Sequence, residues 1–252
     1  MKQLVNRVIQ SLGYDIVRKG KIKPLPPDFE PLHQEVWQEV KDNTMTGPER
    51  IYSLIEAVKY IEKNNIPGAI VECGVWKGGS MMAVAKTLQH LGNTSRDLYL
   101  YDTFEGMSEP DERDKTYNGT PAEELLNNDA DKTKNLTWAF STLETVQKAM
   151  ASTRYPEVRV KYIRGKVEDT IPGVLPSEIA LLRLDTDWYE STRHELLHLY
   201  PLLKKGGVLI LDDYGHWAGA KKAVDEYFLQ QTQPILLNRI DETGRIAVKQ
   251  IG

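Results

Sequence analysis

Asp185-Thr186-Asp187 stands where one apolar run ends, and Asp212-Asp213 stands where another ends. Carboxylates gathered at neighbouring strand ends repel one another, and a hard divalent cation relieves that repulsion. Oxygen ligands favour Mg2+, with Mn2+ or Ca2+ as substitutes. Asp185, Asp212 and Asp213 therefore make a candidate metal set. A metal held there would take two adjacent substrate hydroxyls and acidify one. Asp187 would accept the released proton as general base, next to Asp185 at the reacting centre. The plainer alternative is that these residues cap strand ends and hold no metal.

A second metal pattern overlaps the first. His194-Glu195-Leu196-Leu197-His198 has the H-E-x-x-H form of zinc peptidases, with both histidines on one helix face. Such an enzyme needs a third ligand and a helix that faces a cleft. Leu196, Leu197, Leu199 and Tyr200 surround the pair with packing residues, so the match reads as coincidence. His216, after Asp213-Tyr214-Gly215, is a candidate substrate contact ranked below Asp187, while His33 and His90 carry no signal.

Glu72-Cys73-Gly74-Val75-Trp76-Lys77-Gly78-Gly79-Ser80 reads as a strand end, a glycine-rich turn and a helix start. Gly74 and Gly78 let the backbone bend and approach a ligand. The spacing is not the dinucleotide G-x-G-x-x-G, and Glu72 suits a cationic amine better than a phosphate. S-adenosylmethionine, with its ammonium and sulfonium, fits such an acidic turn. Asp102 ends the next strand, where a carboxylate can accept both ribose hydroxyls, with Thr103 beside it. Its alternative role is a strand-end cap. Gly165 to Glu168, after a third strand, offer backbone to frame an adenine, although Asp169 or Thr170 can equally cap a helix.

The elements that must position these residues alternate. GAIVECG, DLYLYDT, VRVKYIRG, IALLRLD and GGVLILDD read as short apolar strands. Helices are expected over Gly79 to Leu91, Glu190 to Leu203 and Ala218 to Phe228. This is the signature of a parallel sheet covered on both faces. ILLNRI and RIAVKQI, joined by Asp241-Glu242-Thr243-Gly244, read as an antiparallel hairpin, which methyltransferase folds show, whereas dehydrogenase-type folds more often continue with another helix. A helix is expected from Thr46, with Thr46 and Glu49 as a capping box and Pro48 in its first turn.

Residues 104–134 break the alternation. From Glu105 to Lys134 the segment carries nine acidic and four basic residues, and it follows the second strand, so it would hang over the carboxyl edge. With the helix near Leu143 to Met150 it reads either as a substrate lid over about 104–150 or as a solvated insertion. Residues 1–45 read as an N-terminal extension to a domain over 46–252. Leu4, Val5, Val8, Ile9 and Leu12 form an apolar stripe, followed by a basic stretch and KPLPPDFEP. Such an arm packs on its own domain or on a second subunit more readily than on a membrane surface, and a homodimer or higher oligomer is expected.

Composition excludes several classes. A net charge of −4 gives no basic field for nucleic acid, and Cys73, the single cysteine, allows no intrachain disulfide. The start MKQLVNRVIQ lacks a signal-peptide core, and no apolar run suits a membrane span, so a cytoplasmic location is expected.

IVECGVWKGGS, LYLYDTFEGM, LLRLDTDWYEST and GGVLILDDYGHWAGAKKAVDEYF, in this order, resemble the macrocin O-methyltransferase family from about Met45 to the C-terminus. The resemblance implies a class I, Rossmann-like methyltransferase fold. It also implies S-adenosylmethionine and a divalent metal as cofactors, a hydroxyl acceptor that is commonly a sugar of a natural-product glycoside, and dimers built by N-terminal segments. It carries Glu72, Gly74 and Gly78 onto the methionine-binding loop and Asp102 onto the ribose carboxylate. Asp185, Asp212 and Asp213 fall on the metal ligands, and Asp187 on the general base. Lys166 and Val167 depart from the aromatics that the family carries after the corresponding glycine. Rival readings are a methyltransferase for a catechol or other vicinal diol and a nucleotide-binding module without catalysis. The acidic lid favours a sugar over the first, and the four aspartates argue against the second.

Overall fold

The computed structural model describes residues 25–127, 132–133 and 136–250. The expected apolar stripe from Leu4 to Leu12 and the basic stretch from Arg18 to Lys23 lie outside them. Seven strands are formed: β1 (Ala69–Cys73), β2 (Leu98–Asp102), β3 (Val160–Arg164), β4 (Ile179–Leu184), β5 (Leu203–Leu211), β6 (Asn238–Arg239) and β7 (Arg245–Val248). They make one sheet in the order β3-β2-β1-β4-β5-β7-β6. The pairings among β1 to β5 are parallel, and β7 runs antiparallel to both β5 and β6. The C-terminal hairpin therefore closes a parallel sheet, as the sequence pattern implied.

Period-2 alternation sorts the strand residues onto two cores. Ile70, Leu98, Leu100, Leu181, Val208 and Ile210 face one side. There they meet α1 (Pro31–Val40), α2 (Pro48–Lys63), α3 (Gly79–His90) and α5 (Leu143–Ser152). Val71, Cys73, Leu182, Leu184, Leu209 and Leu211 face the other side, against α6 (Val167–Thr170), α7 (Tyr189–His198) and α8 (Ala218–Leu229). The short α4 (Ala122–Asn127) lies in the insertion. On α2, Ile51, Leu54, Ile55, Val58 and Ile61 are all buried, each contributing about 1.5–3 kcal/mol relative to exposure. The helix α1, which the sequence placed in the extension, joins the same core through Val36 and Val40.

Three local expectations are corrected. The capping box at Thr46 does not form: Gly47 is the N-cap of α2, and the Thr46 hydroxyl pairs with Thr44 instead. Pro48 does occupy the first turn. The helix expected to run to Leu203 ends at His198, because Pro201 follows and a 3-10 turn takes over at Tyr200–Leu202. Strand β5 begins at Leu203 rather than Gly206. Its register against β4 slips between Leu203 and Val208, where Gly206 has φ 78°, so the glycines mark an irregularity within the strand and not its start.

Candidate active site

A cavity of about 480 Å3 opens at the carboxyl ends of the parallel strands. Strand register explains what gathers there. Cys73, Leu184 and Leu211 lie level across β1, β4 and β5. The ladder continues one step beyond them: the Asp185 amide donates to Cys73 O, the Asp212 amide to Leu184 O, and the Gly74 amide to Tyr101 O. Gly74 and Asp185 come so close that a Cβ on Gly74 would lie 1.9 Å from Asp185 O, and φ at Gly74 is 80°. Only glycine fits there.

Glu72, Arg183, Asp185 and Asp212 share one face of the sheet, the face whose deeper rows are Ile70, Leu181 and Ile210. Arg183, 4% exposed, is their hub. It donates to Glu72 and Asp185 through Nη1 and to Asp212 through Nη2, each at 2.7 Å. Arg50 of α2 holds the other oxygen of Asp212 and ties it to Asp241 (2.7 Å) and Thr243 in the β6–β7 turn. Glu72, Asp185 and Asp212 thus share the Arg183 guanidinium, and Arg50 bridges Asp212 to Asp241.

Asp185, Asp187 and Asp213 each present a carboxylate oxygen within 4.8 Å of the others. Burial, opposed by Arg183 and reinforced by Asp212 and Asp213, holds the Asp185 carboxyl well above the usual range. Burial and the neighbouring Asp187 do the same to Asp213. Asp187 is pushed up to about 7, first by burial, with Asp185 and Asp212 adding repulsion and bonds to Asp213 and Trp217 opposing the rise. Its backbone is left-handed, φ 68°, and its amide donates to Asp213 Oδ2 at 3.2 Å. Glu72 is also pushed up to about 7 by burial despite Arg183, and its Oε2 has no partner. The cation that Glu72 meets is thus internal, and the glutamate lies behind the cavity wall.

Among the other sequence candidates, Gly74, Ser80, Asp102, Thr103, Gly165 and Glu168 line the cavity. Gly78 does not; with φ 86° it turns the chain into α3. Asp102 caps the turns around it. Its Oδ2 accepts from the Val75 and Trp76 amides (2.6 and 3.1 Å), and its Oδ1 from Phe104 N (2.6 Å). Burial raises its carboxyl, and these amides oppose the rise. Thr103 donates to Gly106 O, and Glu168 accepts from Ser191.

The histidine pair is elsewhere. His194 and His198 lie tilted at 51° with centroids 4.5 Å apart on α7, and His194 Nε2 donates to Ile171 O at 2.8 Å, so that nitrogen is not free to ligate. Glu195 is wholly buried, and burial pushes its carboxyl far up. Among the described residues, the three-aspartate group alone brings three such ligand atoms together.

The described part of the insertion meets the site. Met107, Ser108, Leu125, Leu136, Thr137 and Ala139 line the cavity. Among the described residues, no acidic residue of the insertion does: Glu105 pairs with Arg164, Asp111 with Arg113, and the buried Asp114 accepts the Tyr189 amide. The described acidic residues thus give the sugar no support, since they face solvent or pair internally.

Sequence reading missed Arg183, Arg50, the Asn43–Thr46 segment and Trp217, all on the cavity wall. Arg183 had a legible signal, an arginine inside an otherwise apolar strand, which is rarely buried unless paired. Arg50 and the Asn43–Thr46 segment come from distant parts of the chain and carried none, and Trp217, close to Asp213, has no distinguishing pattern.

A family model described as Macrocin-O-methyltransferase (TylF) matches residues 33–248. Demethyldecarbamoylnovobiocin O-methyltransferase from Streptomyces niveus is 33% identical over 77% of this chain and 72% of its own. The 8-demethyl-8-(2,3-dimethoxy-alpha-L-rhamnosyl)-tetracenomycin-C 4'-O-methyltransferase from Streptomyces olivaceus is 32% identical over 96% and 89%. The solved structure of the O-methyltransferase NovP superposes with a TM-score of 0.72 at 30% identity, covering 83% of each chain.

Proposed function

The chain belongs to the macrocin O-methyltransferase family, and from that premise we propose that it transfers a methyl group from S-adenosylmethionine to a hydroxyl of a sugar on a natural-product glycoside, with a divalent metal. The observation that carries the site assignment is the half-buried cluster of Asp185, Asp187 and Asp213 beside a glycine-turn cavity at the carboxyl edge. The sugar is supported by the relatives, one of which names a rhamnosyl acceptor.

S-adenosylmethionine, when bound, supplies the electrophilic sulfonium methyl. Gly74 and Ser80 would line its methionine end, with Gly78 shaping the turn and Glu72 supporting it from behind through Arg183. Asp102 and Thr103 would meet the ribose, and Gly165 and Glu168 the adenine side. Asp102 already caps three amides, so it would stiffen the turn as well as bind.

A divalent cation, when bound, supplies Lewis-acid charge that lowers the pKa of an acceptor hydroxyl. The residues fit one: hard oxygen donors, crowded and pushed towards protonation by burial, lack countercharge beyond two arginines. Asp185, Asp212 and Asp213 are the proposed ligands. Asp212 would have to exchange a guanidinium for the metal, and Arg50 is the more exposed of its two partners. Asp187 accepts the proton from the acceptor hydroxyl; a value near 7 suits that task. The acceptor oxygen, relieved of its proton, would attack the methyl carbon in line, the O–C bond forming as the S–C bond breaks and the sulfur leaves as a neutral thioether.

Incubation with isotopically labelled S-adenosylmethionine, Mg2+ and demethyldecarbamoylnovobiocin, against a catechol as rival acceptor, tests the reading. Label in the glycoside alone is expected. Label in the catechol alone would establish the second reading, which the apolar Met107, Leu125 and Leu136 on the lid side favour. We also propose a homo-oligomer that uses residues 1–35. Light scattering that returns a monomeric full chain would refute it.

A further inference from the structure

Two helices leave the aspartate-bearing edge of the sheet. Leu184 ends β4 and Tyr189 starts α7; Leu211 ends β5 and Ala218 starts α8. The loops between them, 185–188 and 212–217, carry the aspartates. The N-cap of α7 is Trp188 and that of α8 is Trp217, and neither caps its helix with a side chain. An indole has no acceptor to offer the unpaired amides of a first turn. The insertion supplies both acceptors. Asp114 Oδ1 accepts the Tyr189 amide at 2.8 Å, and Lys115 O accepts the Ala218 amide at 2.7 Å. Asp114 is 2% exposed, and its Oδ2 accepts the Asp111 amide at 2.9 Å. Gly219, in the first turn of α8, is pressed against it: a Cβ there would overlap Asp114 Oδ1 and lie 3.2 Å from the Tyr189 Cβ. The two helix starts therefore converge on one carboxylate. The Trp188 and Trp217 rings meet edge-on, centroids 4.9 Å apart, in an apolar cluster with Ala122 and Leu126 of the insertion.

We propose that Asp114 is a positioning residue: it caps α7 from outside the helix, seats the start of α8, and so fixes the two aspartate loops relative to each other. The proposal rests on those loops holding the divalent cation. At the sheet, each loop is tied by one ladder bond, from the Asp185 amide to Cys73 O and from the Asp212 amide to Leu184 O. Its other end is the helix start, and there the insertion holds it. A carboxylate suits that place better than a neutral acceptor. It meets the positive end of the helix dipole, and its bonds to amides are charge-assisted. The insertion therefore frames the site as well as lining it.

The test uses the full-length protein and two probes by calorimetry, Mg2+ alone and S-adenosylmethionine alone. Asp114→Ala should weaken Mg2+ binding roughly tenfold, the lower end of what the outer partners of a metal site are worth, and leave S-adenosylmethionine affinity unchanged. A merely destabilising change leaves both affinities of the folded protein as they were. Asp114→Asn keeps an oxygen for the Tyr189 amide and should cost less than about threefold. Gly219→Ala pushes the carboxylate off that amide and should reproduce the loss. In the Asp114→Ala background it should cost no more than about twofold, because the overlap is gone. Hydrogen exchange needs no ligand. In Asp114→Ala, peptides over 186–192 and over 214–222 should both exchange faster, the second although its own acceptor, Lys115 O, is untouched. Mg2+ affinity that does not fall, affinities for both probes that fall together, or faster exchange confined to residues 111–114 would overturn the proposal. If the parent protein binds no Mg2+, the metal reading fails, and exchange alone decides whether Asp114 holds both helix starts. Should Asp114→Ala not fold, Gly219→Ala carries the comparison, with Asp114→Asn as its control.

Discussion

The aspartates at the ends of β4 and β5 and the histidines of α7 are both ligand-type groups, and they lie within one short stretch of chain and its neighbour strand. The histidines are close in sequence and on one helix face, yet the helix spends that face on packing: one ring is bonded to Ile171 O, and Glu195 between them is sealed in the core. The aspartates are distant in sequence, yet parallel register delivers them to one edge, facing a cavity. Local spacing makes a motif possible. Which face the element turns to the cavity decides whether the motif acts.

The largest expected effects fall on the aspartate side. EDTA should abolish methyl transfer and Mg2+ restore it, a loss of roughly 10³-fold or more if the metal contributes several kcal/mol. Asp187→Asn should cut turnover ~10²–10⁴-fold, the usual worth of a general base, while calorimetry shows Mg2+ binding retained. Asp213→Asn should weaken Mg2+ binding itself. Stoichiometric zinc that disappears in His198→Ala would reverse the comparison.

A smaller effect is expected at the donor end. Asp102→Asn keeps the size but loses acceptor capacity, so S-adenosylmethionine affinity by calorimetry should fall about tenfold. Unchanged affinity would leave Asp102 as a cap alone.

The aspartate cluster should also cost stability in the metal-free protein. Asp187 lies near 7 when folded, above its ordinary 3.8. A carboxyl raised on folding contributes stability that is complete below the unfolded value and lost as pH rises through the folded one. Asp187→Asn removes that dependence. The melting temperature of the variant should therefore gain on that of the parent between pH 4 and pH 8, and a constant difference would show that Asp187 is not held up. Smallest of all, His194→Ala should cost about 0.5–1.5 kcal/mol of stability for its lost bond to Ile171 and leave turnover unchanged.

The parallel sheet, the closing hairpin and the strand-end positions of Asp102, Asp185 and Asp212 were legible because apolar runs, glycine turns and period-2 alternation are local signals. The ends of α7 and β5 were misread because a 3-10 turn and an irregular register at Gly206 carry no periodicity of their own. The acidity of the insertion misled for a related reason: composition does not say which side chains face inward.

The sequence by itself determined which residue types stand at the carboxyl ends of the strands, because hydrophobic alternation and turn chemistry act between near neighbours. Tertiary structure alone decided what those residues meet. Arg50 reaches Asp212 from another helix, and Glu72 finds Arg183 across a strand pair. Protonation follows from these encounters, since burial and neighbouring charge are properties of the packed site and not of the residue.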